Sequence, residues 1–245
     1  MRPTLFHWRG HTLHSYPALL YVGLVLGVFA DNLASHAARI NSLRTFAATL
    51  ILIPCGLLGA RLAYVAAHWS RYRRQNLRQI WNRNQGGAGH YGGLAVGLLF
   101  SVPLLKVFHV PLGAFWDAAV FGLLFLLFFG RIGCLLHGCC CGRSYQGWGS
   151  AYLPDHQGQW RRRFPTQLLE IAWAAVLLLT ASALWPRMLF PGALFLAMAS
   201  LYAFGRIFLL ATREELEESR LLAHYVFSLL LLVASLSTLT VRWPK

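Results

Sequence analysis

The sequence predicts an all-α integral membrane protein, with seven transmembrane helices around a lipid-accessible cavity and small interfacial arms. Three observations predict it. Of 245 residues, 57% are apolar and only 12% charged, and the mean hydropathy is +0.50, so there are too few polar side chains to cover a soluble surface of this size. Apolar runs of about 20 residues recur along the chain, the length that carries a helix across a bilayer, whereas barrel strands read as short alternating segments. The net charge of +14 is spread between the apolar runs and forms no basic domain. That distribution suits membrane lipid with anionic headgroups and argues against nucleic acid as a partner.

The spans fall at about 15–34, 45–68, 91–110, 113–137, 166–185, 190–211 and 221–241. The first follows Arg2 and Arg9 and has "ASHA" near its end, a pattern shared with signal peptides; six further spans argue for its retention. The second contains "CGLLGARLAYV", the third opens on "GHYGGLAVGL" and the fourth closes on "FFGRIGCLLH". The fifth starts at "FPTQLLE", the sixth contains "YAFGRIFLL", and the seventh precedes the C-terminus. Between them lie two polar stretches, 70–90 and 138–165, neither able to bury a core alone, so residues 1–245 are expected to form a single membrane domain without internal repeats. "RYRRQNLRQIWNR" predicts an amphipathic interfacial helix with Tyr72, Leu77, Ile80 and Trp81 toward lipid. "WRRRF" at 160–164 predicts a headgroup anchor, and "REELEESR" at 213–220 a solvated helix turn with its acids outside the cavity.

Charged residues inside spans are costly and mark functional sites by default. They are Asp31, Arg61, Lys106, Asp117, Arg131, Glu170 and Arg206. Asp31, Lys106 and Asp117 have an ordinary explanation as snorkelling or capping residues near span ends. Arg61, Arg131 and Arg206 sit in glycine-containing helical stretches, where small residues allow close helix approach. Glu170 is the acidic partner within reach of a span interior. Three arginines against one carboxylate predict an anionic visitor, and a guanidinium fork suits the oxygens of a lipid phosphate. The alternative is a buried Arg and Glu pair with the other arginines bonded to helix-end carbonyls.

"GRIGCLLHGCCCGR", residues 130 to 143, resembles the signature of the prolipoprotein diacylglyceryl transferases, approximately G-R-x-G-N-F-x-N-G-E-x-x-G-R. Gly130, Arg131, Gly133, Gly138, Gly142 and Arg143 keep that register. "LHSYPALLYVG", "GLLGARLAYV", "GHYGGLAVGL", "FPTQLLE" and "YAFGRIFLLATRE" follow in the family's order, so the resemblance covers nearly the whole chain. It implies a seven-span enzyme of the bacterial inner membrane that needs no cofactor or metal. Such an enzyme moves the diacylglyceryl group of phosphatidylglycerol onto the lipobox cysteine in a prolipoprotein signal peptide. It further implies that Arg131 and Arg206 hold the phosphoglycerol head, that Tyr16 matches the family's first-span tyrosine, and that Gly92, Gly93, Gln167 and Glu170 line or brace the lipid cavity with Arg143 at its rim. Arg61, Tyr91 and Gly138 join the expected substrate-binding set.

The departures from the pattern are chemical. Cys134, His137 and Cys139 stand where the family has asparagine, asparagine and glutamate; Tyr91 takes the usual histidine position with His90 before it; Leu210 replaces a glutamate. His90 or His137 then becomes the expected proton acceptor for a thiol, since imidazole titrates near operating pH. Cys134, Cys139, Cys140 and Cys141 with His137 form C-x2-H-x-C-C-C, soft donors that also fit a metal or a disulfide. Adjacent cysteines rarely share one ion, and tight packing by small apolar thiols is the plainer expectation. Two other functional classes stay open: a divergent or non-catalytic phospholipid- or lipoprotein-binding protein, and a thiol redox or metal protein using Cys134 to Cys141. Most Lys and Arg lie on the N-terminal side of the membrane, which by the positive-inside rule is the cytoplasm. The resemblance implies the reverse, with the active site toward the periplasmic face.

Overall fold

The computed structural model describes residues 4–8, 11–72, 90–155, 157–214 and 218–242. The segment 73–83, and with it most of the expected interfacial helix, lies outside the described residues. Seven helices are long and apolar enough to cross a membrane, making the chain an all-α, multi-pass membrane protein. In order come α1 (Ser15–Ala37), α2 (Ser42–Ala67), a short α3 (Trp69–Tyr72), α4 (His90–Phe108), α5 (Leu112–His137), α6 (Thr166–Leu184), α7 (Ala193–Leu210) and α8 (Glu218–Arg242). Their lengths follow from uninterrupted apolar sequence, and large side chains such as Leu99, Val107, Leu179 and Phe208 are exposed, as a lipid-facing surface requires. Two antiparallel strand pairs form that no apolar run announces: β1 (Thr4–Trp8) with β2 (His11–His14) ahead of α1, and β3 (Ala151–Pro154) with β4 (Trp160–Arg163) within the 138–165 stretch.

The chain divides into two compact units, one of residues 35–115 and the other of 1–34 with 116–245. In the first, α2 packs on α4. A side chain at Gly92 would collide with Ala63 and with the Gly59 carbonyl, and one at Gly93 would lie 2.9 Å from the Gly56 carbonyl. Gly92 and Gly93 are therefore helix-packing positions, a small-residue seam that lets two backbones approach.

In the second unit, Val120 and Leu124 of α5, Leu177 and Ala181 of α6, and Leu194 and Met198 of α7 form a buried core. Ser200 on α7 and Ser235 on α8 share a buried hydrogen bond of 2.7 Å, polar glue of the kind that substitutes for a hydrophobic drive within lipid. Asp117 caps α7 from outside. Its carboxylate accepts the Gly192 N–H at 2.6 Å and the Phe195 N–H at 2.9 Å, satisfying first-turn donors that the N-cap residue, Gly192, has no side chain to reach. Asp117→Ala should cost about 1–2 kcal/mol. Thermal unfolding in detergent, followed by circular dichroism, should show a melting temperature lower by several degrees, with Asp117→Asn between the two.

Candidate functional site

Three helices of the second unit each direct one side chain to the same point. Along α6, Thr166, Gln167 and Glu170 are buried, the spacing of one helical face. On α5, Leu127 and Arg131 are one turn apart, and on α7, Tyr202, Arg206 and Leu209 lie on one stripe. With Glu170 and Trp173 of α6 these residues line a cavity of about 10 Å³, room for one water. Glu170 is the hub. Arg131 Nη1 lies 3.1 Å from Oε2 and Arg206 Nη1 lies 2.5 Å from Oε1. The third guanidinium is Arg213, whose Nη2 reaches Oε1 at 2.8 Å and Oε2 at 3.1 Å. Both carboxylate oxygens are thus taken, and the surplus charge is positive.

The sequence placed Arg131, Arg206 and Glu170 in one site and missed Arg213, which follows the end of α7. Loop weaving brings it there. Arg143 N–H donates to the Thr212 carbonyl at 2.9 Å, Phe164 N–H to the Arg143 carbonyl at 3.0 Å, and Glu214 N–H to the Cys141 carbonyl at 3.3 Å. Thr166 Oγ1 meets Thr212 Oγ1 at 2.8 Å. At the crossing a Cβ on Gly142 would strike the Phe164 carbonyl and lie 2.6 Å from Thr166 Oγ1, so only glycine fits there. Arg213 stands in "YAFGRIFLLATRE"; the threonine before it, whose side chain and carbonyl tie the loop down, is the local signal.

The "WRRRF" stretch is corrected at Arg163. This residue is buried, 2% exposed, and pairs with Asp155 at 3.0 Å and with Glu214. Buried guanidinium needs carboxylate partners, and the connection after β3 supplies one, Asp155, and the "RE" pair the other. Arg163 is therefore a structural ion pair, and Glu214 belongs to the loop framework instead of to a solvated turn. Arg161 and Arg162 on the same strand remain exposed.

Other expected residues distribute as follows. Tyr16, 37% exposed, lies against Gly133 at the start of α1. Gln167 is 1% exposed and donates to the Cys139 carbonyl at 2.6 Å and the Cys134 carbonyl at 3.5 Å, bracing the cysteine turn. Gly138, with φ of 79°, ends α5, its N–H donating to the Cys134 carbonyl at 3.0 Å. Arg143 and His137 are exposed. In the first unit, Arg61 lies over the rings of Tyr64 and Tyr72, 5.6 and 6.0 Å from their centroids, a cation–π setting. Tyr91 follows His90 in the first turn of α4, and the His90 side chain lies outside the described residues.

At the end of α5, Cys134 of its last turn and Cys139 and Cys140 just beyond it bring their sulfurs within 4.8 Å of one another. The Cys140 thiol is held below its ordinary value by hydrogen bonds from Cys134 and Cys139, with Arg213 and Arg131 adding positive field. Cys139 is pushed up by sharing those hydrogen bonds and by burial.

Seven helices long and apolar enough to span a membrane, three of them enclosing a buried carboxylate that pairs with three arginines, define a polytopic membrane protein with surplus positive charge at a buried point. A family model for prolipoprotein diacylglyceryl transferase matches residues 3–241. The chain is 30% identical over 219 residues to the phosphatidylglycerol–prolipoprotein diacylglyceryl transferase of Tropheryma whipplei (strain TW08/27), covering 84% of this chain and 79% of that protein. Identity is 33% over 196 residues to the protein of the same name from Dehalococcoides mccartyi, covering 78% and 72%. It is 26% over 201 residues to that of Clostridioides difficile (strain 630), covering 82% and 78%. The chain belongs to the prolipoprotein diacylglyceryl transferase family.

Removing the hub carboxylate should unbalance all three guanidiniums. Glu170→Gln should destabilise the protein by about 3–5 kcal/mol, the penalty for leaving buried charge uncompensated, read as a lowered melting temperature. Adding Arg213→Gln should restore part of the loss, because the two positions share one interaction.

Proposed function

We propose that this protein transfers the diacylglyceryl group of phosphatidylglycerol to the lipobox cysteine of a prolipoprotein signal peptide, at the site built on Glu170. The observation that carries the reading is the cation surplus: Arg131, Arg206 and Arg213 converge on one carboxylate. Arg206 Nε, Arg213 Nε and Trp173 Nε1 are buried N–H donors without a hydrogen-bond partner among the described residues. Unused donors beside surplus positive charge suit the oxygens of a phosphodiester. The cavity between the helices is too small for a headgroup, so binding entails movement of the guanidiniums away from Glu170.

In the reaction the acceptor thiolate forms a carbon–sulfur bond at the glyceryl carbon, the carbon–oxygen bond to phosphate breaks, and glycerol phosphate leaves carrying the electron pair. The charge that develops on the leaving phosphate is what Arg131 and Arg206 stabilise, the largest demand of this displacement. Deprotonation of the acceptor thiol falls to a base such as His137, exposed at the end of α5. Tyr16 borders the site beside Gly133, and Arg143 stands at its rim. The lipid donor and the secreted acceptor fit the bacterial inner membrane, with the Arg131 to Arg143 segment toward the outer face. The exposed basic residues of that side then face anionic headgroups, which offsets the positive-inside bias.

The test is transfer to a lipobox peptide by protein in phosphatidylglycerol nanodiscs, read by mass spectrometry. Wild type should add a diacylglyceryl mass to the peptide cysteine, and Arg131→Ala or Arg206→Ala should slow transfer by about 10²–10³-fold. Folded wild-type protein that binds the lipid but leaves the peptide unmodified would overturn the transferase reading in favour of a lipid-binding role.

A further inference from the structure

We propose that Cys134, Cys139 and Cys140 form a three-thiolate site for a single soft metal ion, Cu(I) being the ion the donor set fits. The proposal stands on the cysteine turn alone and does not require the transferase activity. Its first support is distance. All three sulfurs lie within 4.8 Å of one another, and three thiolates bound at about 2.3 Å from one ion are separated by about 4 Å, so closure on an ion asks for contraction of less than about 1 Å.

The second support is how the chain achieves this. Consecutive side chains on an extended backbone point to opposite sides, which is why adjacent cysteines rarely meet at one ion. Here Gly138 takes φ of 79° and Cys140 takes φ of 59°. Two left-handed residues in three reverse the chain at the end of α5 and bring Cys139 and Cys140 round to Cys134. A left-handed non-glycine residue is a strained choice that persists only where the surroundings enforce it. The Gln167 amide enforces it, donating to the backbone carbonyls of Cys134 and Cys139 from α6.

The third support is the alternative the turn disfavours. Adjacent Cys139 and Cys140 have Cα atoms about 3.8 Å apart across a trans peptide, short of the roughly 4.4–6.8 Å a disulfide takes. A disulfide within the group could therefore use Cys134 and only one of the other two, stranding the third thiol, whereas an ion uses all three. No disulfide joins Cys134, Cys139 or Cys140 in this structure.

Donor chemistry then selects the ion. An all-sulfur set excludes hard ions such as Mg²⁺ and Ca²⁺, which take oxygen ligands. A structural zinc site takes four protein ligands, and among the described residues this group offers three. Trigonal thiolate coordination is a preferred geometry of Cu(I), and the nearby positive charge of Arg131 and Arg213 favours the anionic complex that three thiolates and a monovalent ion produce.

The experiment uses the full-length protein in nanodiscs, reduced, freed of metal, and titrated anaerobically with Cu(I) against bathocuproine disulfonate. Metal retained after desalting is counted by mass spectrometry, and sulfur ligands are counted by X-ray absorption. Wild type and Cys55→Ser should each retain one copper per chain, bound to three sulfurs. Cys134→Ser, Cys139→Ser and Cys140→Ser should each weaken retention at least tenfold while eluting as folded protein. Wild-type protein that retains no copper although its thiols titrate as free would overturn the site. Retention with two sulfurs, or retention unchanged in all three serine variants, would overturn the three-thiolate assignment. Preferential retention of Zn²⁺ over copper in the same apparatus would overturn the choice of ion. Because the wild-type sulfur count needs no variant, a misfolded mutant leaves the outcome decidable.

Discussion

One buried carboxylate organises the site: Glu170, 4% exposed, receives three guanidiniums from two helices and a loop. Charge taken out of water is tolerated only when paired, so the single acid fixes where Arg131, Arg206 and Arg213 rest. It also cannot neutralise them. The arrangement holds its shape and leaves positive charge in excess, which is what supports the proposed headgroup site.

The rest of the second unit serves that point. α5, α6 and α7 are held by the apolar core that includes Leu124, Leu177 and Met198, and Asp117 ties the start of α7 to α5. At the other end of these helices the loops cross at Gly142, where no side chain fits, and the crossing delivers Arg213 to Glu170. Arg163 anchors the same loops through Asp155 and Glu214. A second network of opposite balance, two acids on one arginine, thus lies next in sequence to the first through Arg213 and Glu214. The cysteine turn is attached to this framework as well, because Gln167, one turn before Glu170, grips it.

The seven spans were legible because lipid imposes one simple rule, about twenty apolar residues per crossing, and the helices observed begin and end within a few residues of the runs. Arg131, Arg206 and Glu170 were legible for the same reason: a charge well inside such a run is costly and demands a partner. Arg213 and Arg163 were not, since both lie in polar stretches where an arginine is unremarkable, and only the folded loops reveal which one is buried. The hairpins escaped for want of a periodic apolar pattern. Arg61 obeyed the rule for charges in spans, yet its described neighbours are the rings of Tyr64 and Tyr72, a pairing visible in sequence as helical spacing for Tyr64 and hidden for Tyr72. The shared orientation of Cys139 and Cys140 depends on a backbone angle, which residue identity alone does not encode outside glycine and asparagine.

The most direct measurement is a structure of the protein with phosphatidylglycerol bound, determined by electron cryomicroscopy in nanodiscs. The account predicts a headgroup phosphate within hydrogen-bonding distance of the Arg131 and Arg206 guanidiniums, with at least one of them withdrawn from Glu170. A phosphate bound elsewhere, with all three arginines still seated on Glu170, would contradict it.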